Sequence, residues 1–147
     1  MYARILVPLE HSYADQAILA HVRPLARLCG ASLVLMHVAD GWAARHLKQL
    51  ALAESEELRA DRAYLESLCD ALAREGFEAE ALLGAGDPAG EIVAAAERER
   101  CDLIAMATHG HRFLADVVYG SVADEVRHRS RVPVLLVRGE RRAQPRS

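Results

Sequence analysis

Residues 101–124 have the sequence CDLIAMATHGHRFLADVVYGSVAD, and this stretch is the most informative part of the chain about its fold. An apolar run over 103–107 predicts a buried strand, and Gly110 follows it. Nine residues separate Gly110 from Gly120, and Ser121 then opens a helical pattern. Glycine lets the backbone approach a ligand closely, while a hydroxyl at a helix start joins unpaired N–H groups at the positive end of the helix dipole. The pattern predicts either a phosphate-type anion site or an ordinary strand end followed by a capped helix.

Strands and helices alternate along the rest of the chain. Strands are predicted at Ile5–Val7, Leu33–Val38, Glu78–Leu83, Leu103–Met106 and Val132–Val137, and helices at Ala14–Cys29, Ala51–Arg74, from Asp87-Pro88 onward, and at Val122–His128. Most strands are continuous apolar runs, which is typical of parallel strands covered on both faces. The predicted fold is therefore α/β, a doubly wound, Rossmann-like open sheet of five parallel strands.

Composition limits the classes of function. The 147 residues fit one domain, predicted over 1–138, with a short basic tail over 139–147. A net charge of −3 gives no basic footprint for nucleic acid, and no apolar run approaches the roughly 20 residues that span a bilayer. Cys29, Cys69 and Cys101 are odd in number and widely spaced, which favours free thiols and a cytoplasmic location.

The expected ligand position follows from the fold class. In open α/β sheets ligands lie beyond the carboxyl ends of the strands, where the strand order reverses. If the first and fourth strands are neighbours, the segment Pro8-Leu9-Glu10 meets the segment from Ala107 to Gly110 at that point.

These residues resemble the universal stress proteins over about residues 3 to 138. The nucleotide motif of that family is Gly, two residues, Gly, nine residues, Gly, then Ser or Thr, and it is matched at Gly110, Gly120 and Ser121. The family's Pro-x-Asp-x-Ser start is matched at Pro8 and Ser12. The endings of its second and last strands are similar to residues 35–38 and 132–137.

The resemblance implies an ATP-binding stress-response or signalling module. By analogy, the residues around the base and ribose are Pro8, Leu9, Glu10, Val38 and Met106, and the phosphate loop comprises Ala107, Gly110, Gly120 and Ser121. A divalent metal, Mg²⁺ or Mn²⁺, would bridge the phosphates. His111 and Arg112 are interpreted either as phosphate contacts or as solvated loop residues. The resemblance also implies a homodimer paired through Val132–Val137, with a protein partner that the sequence does not identify.

Three departures from the family pattern support an alternative. Ala107 replaces the first glycine of the motif, Glu10 replaces the usual aspartate, and Phe113 stands where smaller residues are common. A nucleotide-free dimeric interaction module of the same fold is the alternative that they favour. No general base is evident, so ATP hydrolysis is expected to be slow at most. Flavodoxin and response-regulator folds are disfavoured, because the first loop lacks glycine and the strand ends lack the required acidic residues.

Four other features receive structural interpretations. His37 lies in an apolar strand and is expected to be a hydrogen-bonded core histidine. Cys101 is expected to be buried and unactivated. Asp124 is expected to cap the helix that starts at Ser121, and the segment Gly84–Gly90 to form a turn and a helix cap.

Overall fold

The structure is a computed structural model that describes residues 1–40, 47–109 and 114–139, with the backbone alone at 40, 47–55, 109 and 114–121. Along these residues strands and helices alternate as β1 (Arg4–Pro8), α1 (Ala14–Cys29), β2 (Ser32–Asp40), α2 (Leu47–Arg74), β3 (Ala79–Gly86), α3 (Pro88–Arg98), β4 (Leu103–His109), α4 (Leu114–Arg129) and β5 (Val134–Gly139). The predicted α/β alternation is confirmed.

All five strands of the described sheet are parallel, in the order β3-β2-β1-β4-β5. The chain moves outward from β1 through β2 to β3, then crosses back to place β4 on the other side of β1. The strand order therefore reverses between β1 and β4, which pair at Ile5 with Leu103 and at Leu6 with Ile104. The condition that the first and fourth strands are neighbours is confirmed, and the binding of a ligand at their carboxyl ends stays a prediction.

The core has two layers, one on each face of the sheet. Alternate residues along each strand point to opposite faces, so each strand supplies both layers. Ile5 and Val7 belong to the layer under α1 and α2, whereas Leu6 belongs to the layer under α3 and α4. The continuous apolar runs of the sequence are thus explained by burial on both faces.

Several local signals end or start helices where the sequence predicts. Gly30 follows α1 in the left-handed conformation, with φ 67°, which glycine adopts without a steric cost. Asp87 caps α3 by accepting a hydrogen bond of 3.0 Å from the Gly90 N–H, and Pro88 occupies the first turn.

Two boundary predictions are wrong. Helix α4 begins at Leu114, so Gly120 and Ser121 lie inside it rather than at its start, and Asp124 lies 3.2 Å from Arg127 instead of next to a helix cap. One helical glycine costs only about 1 kcal/mol, which the neighbouring turns tolerate.

Strand β3 runs to Gly86, so Gly84 is a strand residue and not part of a turn. A Cβ on Gly84 would lie 2.9 Å from the Met36 Cε, so the glycine makes room for that side chain.

Candidate functional site at the carboxyl ends of β1, β2 and β4

Two of the predicted apolar wall residues lie on the same face of the sheet. Met106, 6% exposed, and the partly buried Val38 belong to the core layer under α3 and α4. Pro8 pairs with Met36 in parallel register, so Val38 lies on the part of β2 that extends past the end of β1. The structure therefore brings an apolar surface to the edge of the predicted crevice.

Leu9 does not join this wall. Its side chain is 4% exposed and belongs to the opposite core layer, under α1 and α2. Its backbone is also occupied, because the Leu9 N–H donates to the Met36 carbonyl at 2.7 Å and the Leu9 carbonyl lies 2.9 Å from His37 Nδ1. Leu9 thus fixes the end of β1 rather than offering a side chain to the crevice.

Ala107 fits the backbone at the position where the family motif has glycine. It pairs with Val137 in β4, is 7% exposed, and has a negative φ, since the only non-glycine residues with positive φ in the described chain are His11 and Arg100. No left-handed conformation requires glycine here. Its buried methyl group belongs to the core layer under α1 and α2, the layer of Leu9, and not to the layer of Val38 and Met106.

The remaining predicted phosphate-loop residues are not placed by the structure. Gly110, His111 and Arg112 lie outside the described residues. Gly120 and Ser121 lie within α4, and only their backbone is described. Their contacts with a phosphate stay a prediction. Ser121 does not lie at a helix start, so the unpaired N–H groups of a helix start do not favour an anion at Ser121.

Glu10 lies directly beyond β1 with its side chain half-buried. The Ser12 hydroxyl donates to Glu10 Oε2 at 3.2 Å and accepts a hydrogen bond of 3.3 Å from the Ala14 N–H. Two of the positions that resemble the family's strand-end motif therefore contact each other. The hydroxyl orients the carboxylate at the mouth of the crevice.

The loop that carries Glu10 is organised by a buried carboxylate that the sequence analysis missed. Asp15, 1% exposed, accepts hydrogen bonds from the N–H groups of Glu10 (2.9 Å), His11 (2.9 Å) and Ser12 (3.3 Å). The Tyr64 hydroxyl of α2 donates a fourth, of 2.6 Å. Four donors converge on one carboxylate, which is the arrangement that makes a buried charge tolerable. Burial raises the pKa of Tyr64, and the hydrogen bond to Asp15 and its negative charge raise it further.

A second buried carboxylate connects α2 to the same loop. Asp61, 8% exposed, lies 2.9 Å from His11 Nδ1 through Oδ1 and 3.4 Å from His37 Nε2 through Oδ2. His11 has φ 61° and stacks on the Tyr64 ring with centroids 3.9 Å apart. The prediction that His37 is a hydrogen-bonded core residue is confirmed by its contact with the Leu9 carbonyl. The loop is thus held from α2 by two side chains one helical turn apart, Asp61 and Tyr64.

Cys101 also behaves as the sequence predicts. Its side chain is buried, and burial is the main reason that its pKa rises to about 11, although Arg4 opposes the increase. A thiol in this state is a poor nucleophile at neutral pH.

The part of the chain that the structure describes has neither a metal-binding cluster of side chains nor a membrane-spanning helix. Within those residues no three or more His, Cys, Asp or Glu side chains are grouped so that they could hold a metal ion. No described helix has the length and apolar character needed to cross a membrane.

Comparison with known proteins agrees with this architecture. The family model described as the universal stress protein family matches residues 1–138. Universal stress protein MJ0577 of Methanocaldococcus jannaschii is 30% identical, over 94% of this chain and 96% of that protein. The solved structure of protein MJ0577 superposes with a TM-score of 0.84 at 29% identity, covering 97% of this chain and 99% of that one.

Two further solved structures share the fold at lower identity. A universal stress protein from Archaeoglobus fulgidus, in complex with dAMP, has a TM-score of 0.65 at 24% identity and covers 93% of this chain and 98% of its own. A universal stress protein in complex with cAMP has a TM-score of 0.67 at 21% identity, covering 95% and 98% respectively. At these identities the similarity establishes the fold alone. Because the family model spans 138 of 147 residues and the M. jannaschii relative matches almost end to end, the chain belongs to the universal stress protein family.

Proposed function

We propose that this protein binds an adenine nucleotide, and ATP in particular, in the crevice at the carboxyl ends of β1 and β4. The observation that carries the proposal is the reversal of strand order between β1 and β4, where the apolar Val38 and Met106 share one face of the sheet and a hydrogen-bonded carboxylate, Glu10, follows β1. A purine is a flat apolar ring attached to a polyhydroxylated sugar. Apolar side chains suit the ring, and a carboxylate is an acceptor for the ribose hydroxyls.

Each part of such a ligand has a candidate partner in the chain. Val38 and Met106 would flank the base, Pro8 would close the crevice at the end of β1, and Glu10 would accept from the ribose. Phosphates would be held by the predicted loop, including Gly110 and Ser121, and a bound Mg²⁺ or Mn²⁺ would neutralise part of their charge. The complexes of related folds with cAMP and dAMP support an adenine nucleotide as the ligand class.

The direct test is to purify the protein, denature it and identify any nucleotide released, then titrate the nucleotide-free protein with MgATP by calorimetry. Glu10→Gln is expected to weaken binding about 10-fold or more, because it removes a charge-assisted hydrogen bond. Ser67→Ala, an exposed change on α2, is the matched control and should bind like the wild type. Absence of both released nucleotide and binding heat would refute the proposal.

The replacement of the family's glycine by Ala107 motivates one competing function, a nucleotide-free interaction module of the same fold. On that account the methyl occupies space that the family's glycine leaves open. Ala107→Gly would then create ATP affinity that the wild type lacks. If wild type and variant bind MgATP equally, the methyl is not an obstacle and this alternative fails.

We further propose that the protein acts in the cytoplasm as a homodimer, in stress response or signalling, with hydrolysis slow at most. Strand β5 pairs only with β4 in the described sheet, so its other edge is open, and Leu136 on it is 38% exposed. The strand occupies Val134–Gly139, two residues later than predicted at each end. Leu136→Lys should shift the molecular mass measured by analytical ultracentrifugation from dimer to monomer. Leu28→Lys, at an 86% exposed site on α1, should not, and a monomeric wild type would refute the dimer.

A further inference from the structure

Strand β3 forms one edge of the described sheet, where it pairs with β2 alone. The Leu33 N–H donates to the Glu78 carbonyl at 2.8 Å, and Leu33 is the register partner of Ala79. In a parallel pair, a residue bonds to the two residues that flank its partner, so alternate residues of an edge strand direct their backbone groups away from the sheet. The residues of β3 that do so are Ala79, Ala81, Leu83 and Ala85.

This edge carries few of the features that natural proteins use to prevent strand addition. Its sequence, AEALLGAG, contains one charged side chain, Glu80, and neither proline nor lysine. The register with β2 is continuous from Ala79 to Gly86, so no bulge twists the edge away. A regular open edge is a template on which another extended chain can pair its own backbone N–H and C=O groups.

A groove lies beside this edge, between α2 and the carboxyl end of β3. Its volume is about 270 Å³, and it is lined by Leu58, Arg59 and Arg62 of α2 and by Leu83, Gly84 and Ala85 of β3. Leu83 belongs to the core layer under α1 and α2, whereas Val38 and Met106 belong to the opposite layer, so the groove is separate from the apolar wall of the crevice. Sites that enclose a small molecule have volumes of roughly 300–1,000 Å³, so this smaller groove suits the side chains of a segment that lies along it.

The side chains that α2 contributes to the groove make it positively charged. Arg59 and Arg62 are both exposed, and within the described part of the chain neither has an ion-pair partner. They lie three residues apart on one helix face, where like charges repel and a carboxylate near both is stabilising. A carboxylate of the neighbouring helix, that of Glu91, is on the other face of the sheet, because it approaches Gly84 from α3. The charge of the groove therefore favours an acidic occupant.

We propose that the open edge of β3 and the groove beside it bind an acidic segment of a partner protein in an extended conformation. The segment adds a strand to the sheet through the outward backbone groups of β3, and its carboxylates contact Arg59 and Arg62. The spacing fits, because alternate residues of a strand lie about 6.6 Å apart and side chains one helical turn apart lie about 5–6 Å apart. Backbone pairing supplies affinity for any extended chain, and the two arginines select an acidic one.

The first experiment measures binding of a fluorescein-labelled peptide in which valine and glutamate alternate, by fluorescence anisotropy with the full chain. A peptide with glutamine at each glutamate position is the matched probe, since it keeps the backbone and the shape and removes the charge. The acidic peptide should bind at least about 10-fold more tightly, because hydrogen bonds to charged groups are stronger than neutral ones. Equal affinities, or no binding of the acidic peptide up to about 1 mM, would overturn the proposal.

Charge reversal in the groove tests where the peptide binds. Arg59→Glu and Arg62→Glu should each weaken binding of the acidic peptide about 10-fold or more, because each replaces an attractive contact by a repulsive one. Both residues are exposed, so the variants should keep the fold, which circular dichroism checks. Arg74→Glu, an exposed change at the end of the same helix and outside the groove, is the matched control and should bind like the wild type. An equal loss in Arg74→Glu would overturn the assignment of the site.

The second experiment tests strand addition by hydrogen exchange of backbone amides. The Leu83 N–H faces outward and the Gly84 N–H faces β2, so a saturating amount of the acidic peptide should slow exchange at Leu83 about 10-fold or more and leave Gly84 unchanged. Binding without protection of Leu83 would overturn strand addition. Protection of Leu83 that appears without peptide and increases with protein concentration would show that a second copy of this chain occupies the edge, which would overturn the acidic segment as its occupant. Neither experiment uses a nucleotide, so both test this proposal whether or not the crevice binds ATP.

Discussion

Asp15→Asn should destabilise the protein more than any exposed change of charge. The carboxylate is 1% exposed, with one hydrogen bond on Oδ1, from the Glu10 N–H, and three on Oδ2, from His11, Ser12 and Tyr64. An asparagine retains most bonds by placing its oxygen at the Oδ2 position, which turns its NH₂ group toward the Glu10 N–H. Two donors then face each other.

The magnitude follows from these contacts. The unmatched donor pair costs about 1–3 kcal/mol, and each of the three remaining bonds weakens by roughly 1 kcal/mol when its acceptor loses its charge. Removal of a buried charge offsets part of this loss, since the carboxylate no longer has to be desolvated. The free energy of unfolding should therefore fall by about 2–4 kcal/mol.

Urea unfolding at neutral pH, followed by circular dichroism, measures this free energy. Asp70→Asn, an exposed aspartate on α2, should stay within about 0.5 kcal/mol of the wild type. An Asp15→Asn variant equally close to the wild type would show that the four hydrogen bonds do not stabilise the loop. The conformation of the Glu10 loop would then depend on other contacts.

Three further results are expected. Burial and the neighbouring Asp15 raise the pKa of the Tyr64 phenol, so as pH rises the unfolded chain loses this proton before the folded protein does. The free energy of unfolding of the wild type should therefore fall as pH rises above about 10, and that of Tyr64→Phe should fall less. Urea unfolding at a series of alkaline pH values measures both. In the native protein a thiol reagent should label the half-buried Cys29 before the buried Cys101, because burial raises the pKa of the Cys101 thiol to about 11. Mass spectrometry of timed samples measures the two labelling rates, and equal rates would contradict this expectation. Gly139→Ala should cost about 1–3 kcal/mol, since its Cβ would lie 2.8 Å from the Ala14 Cβ, and Ala14→Gly should recover part of the loss in a double-mutant cycle of thermal unfolding.

The sequence predicts most of the architecture because its signals are local and agree with one another. Helix α1 begins and ends at the predicted residues, with Gly30 at its end, and Asp87 with Pro88 starts α3. The start of α4 is predicted wrongly because a local signal was followed there as well. Gly120 and Ser121 carry a strong local signal for a helix start, but a helix already formed from Leu114 continues through them at a small cost.

The polar network of the site has no comparable local signal. His11 and Asp15 are about 50 residues away from Asp61 and Tyr64, and the two pairs meet only because α2 packs beside β2 on the same face as α1. On α2 these side chains lie in a segment rich in charged residues, which normally faces solvent. The helical spacing of α2 does carry one signal for this network. Asp61 and Tyr64 lie on the same face of the helix as the buried Leu65 and Leu72, and a charged residue on a buried face requires a partner.

The structure describes two departures from the family motif, Ala107 in β4 and Glu10 after β1, and the fold accommodates both. Ala107 has a strand backbone that any residue adopts, and the longer side chain of Glu10 is held by the Ser12 hydroxyl. Neither change therefore reduces the stability of the fold by straining the backbone. Their effect is confined to shape, because Ala107 adds one methyl group and Glu10 extends its carboxylate by one methylene. Ala107→Gly removes that methyl group and leaves the Glu10 loop unchanged, so a comparison of MgATP affinity between wild type and variant separates the two candidate functions.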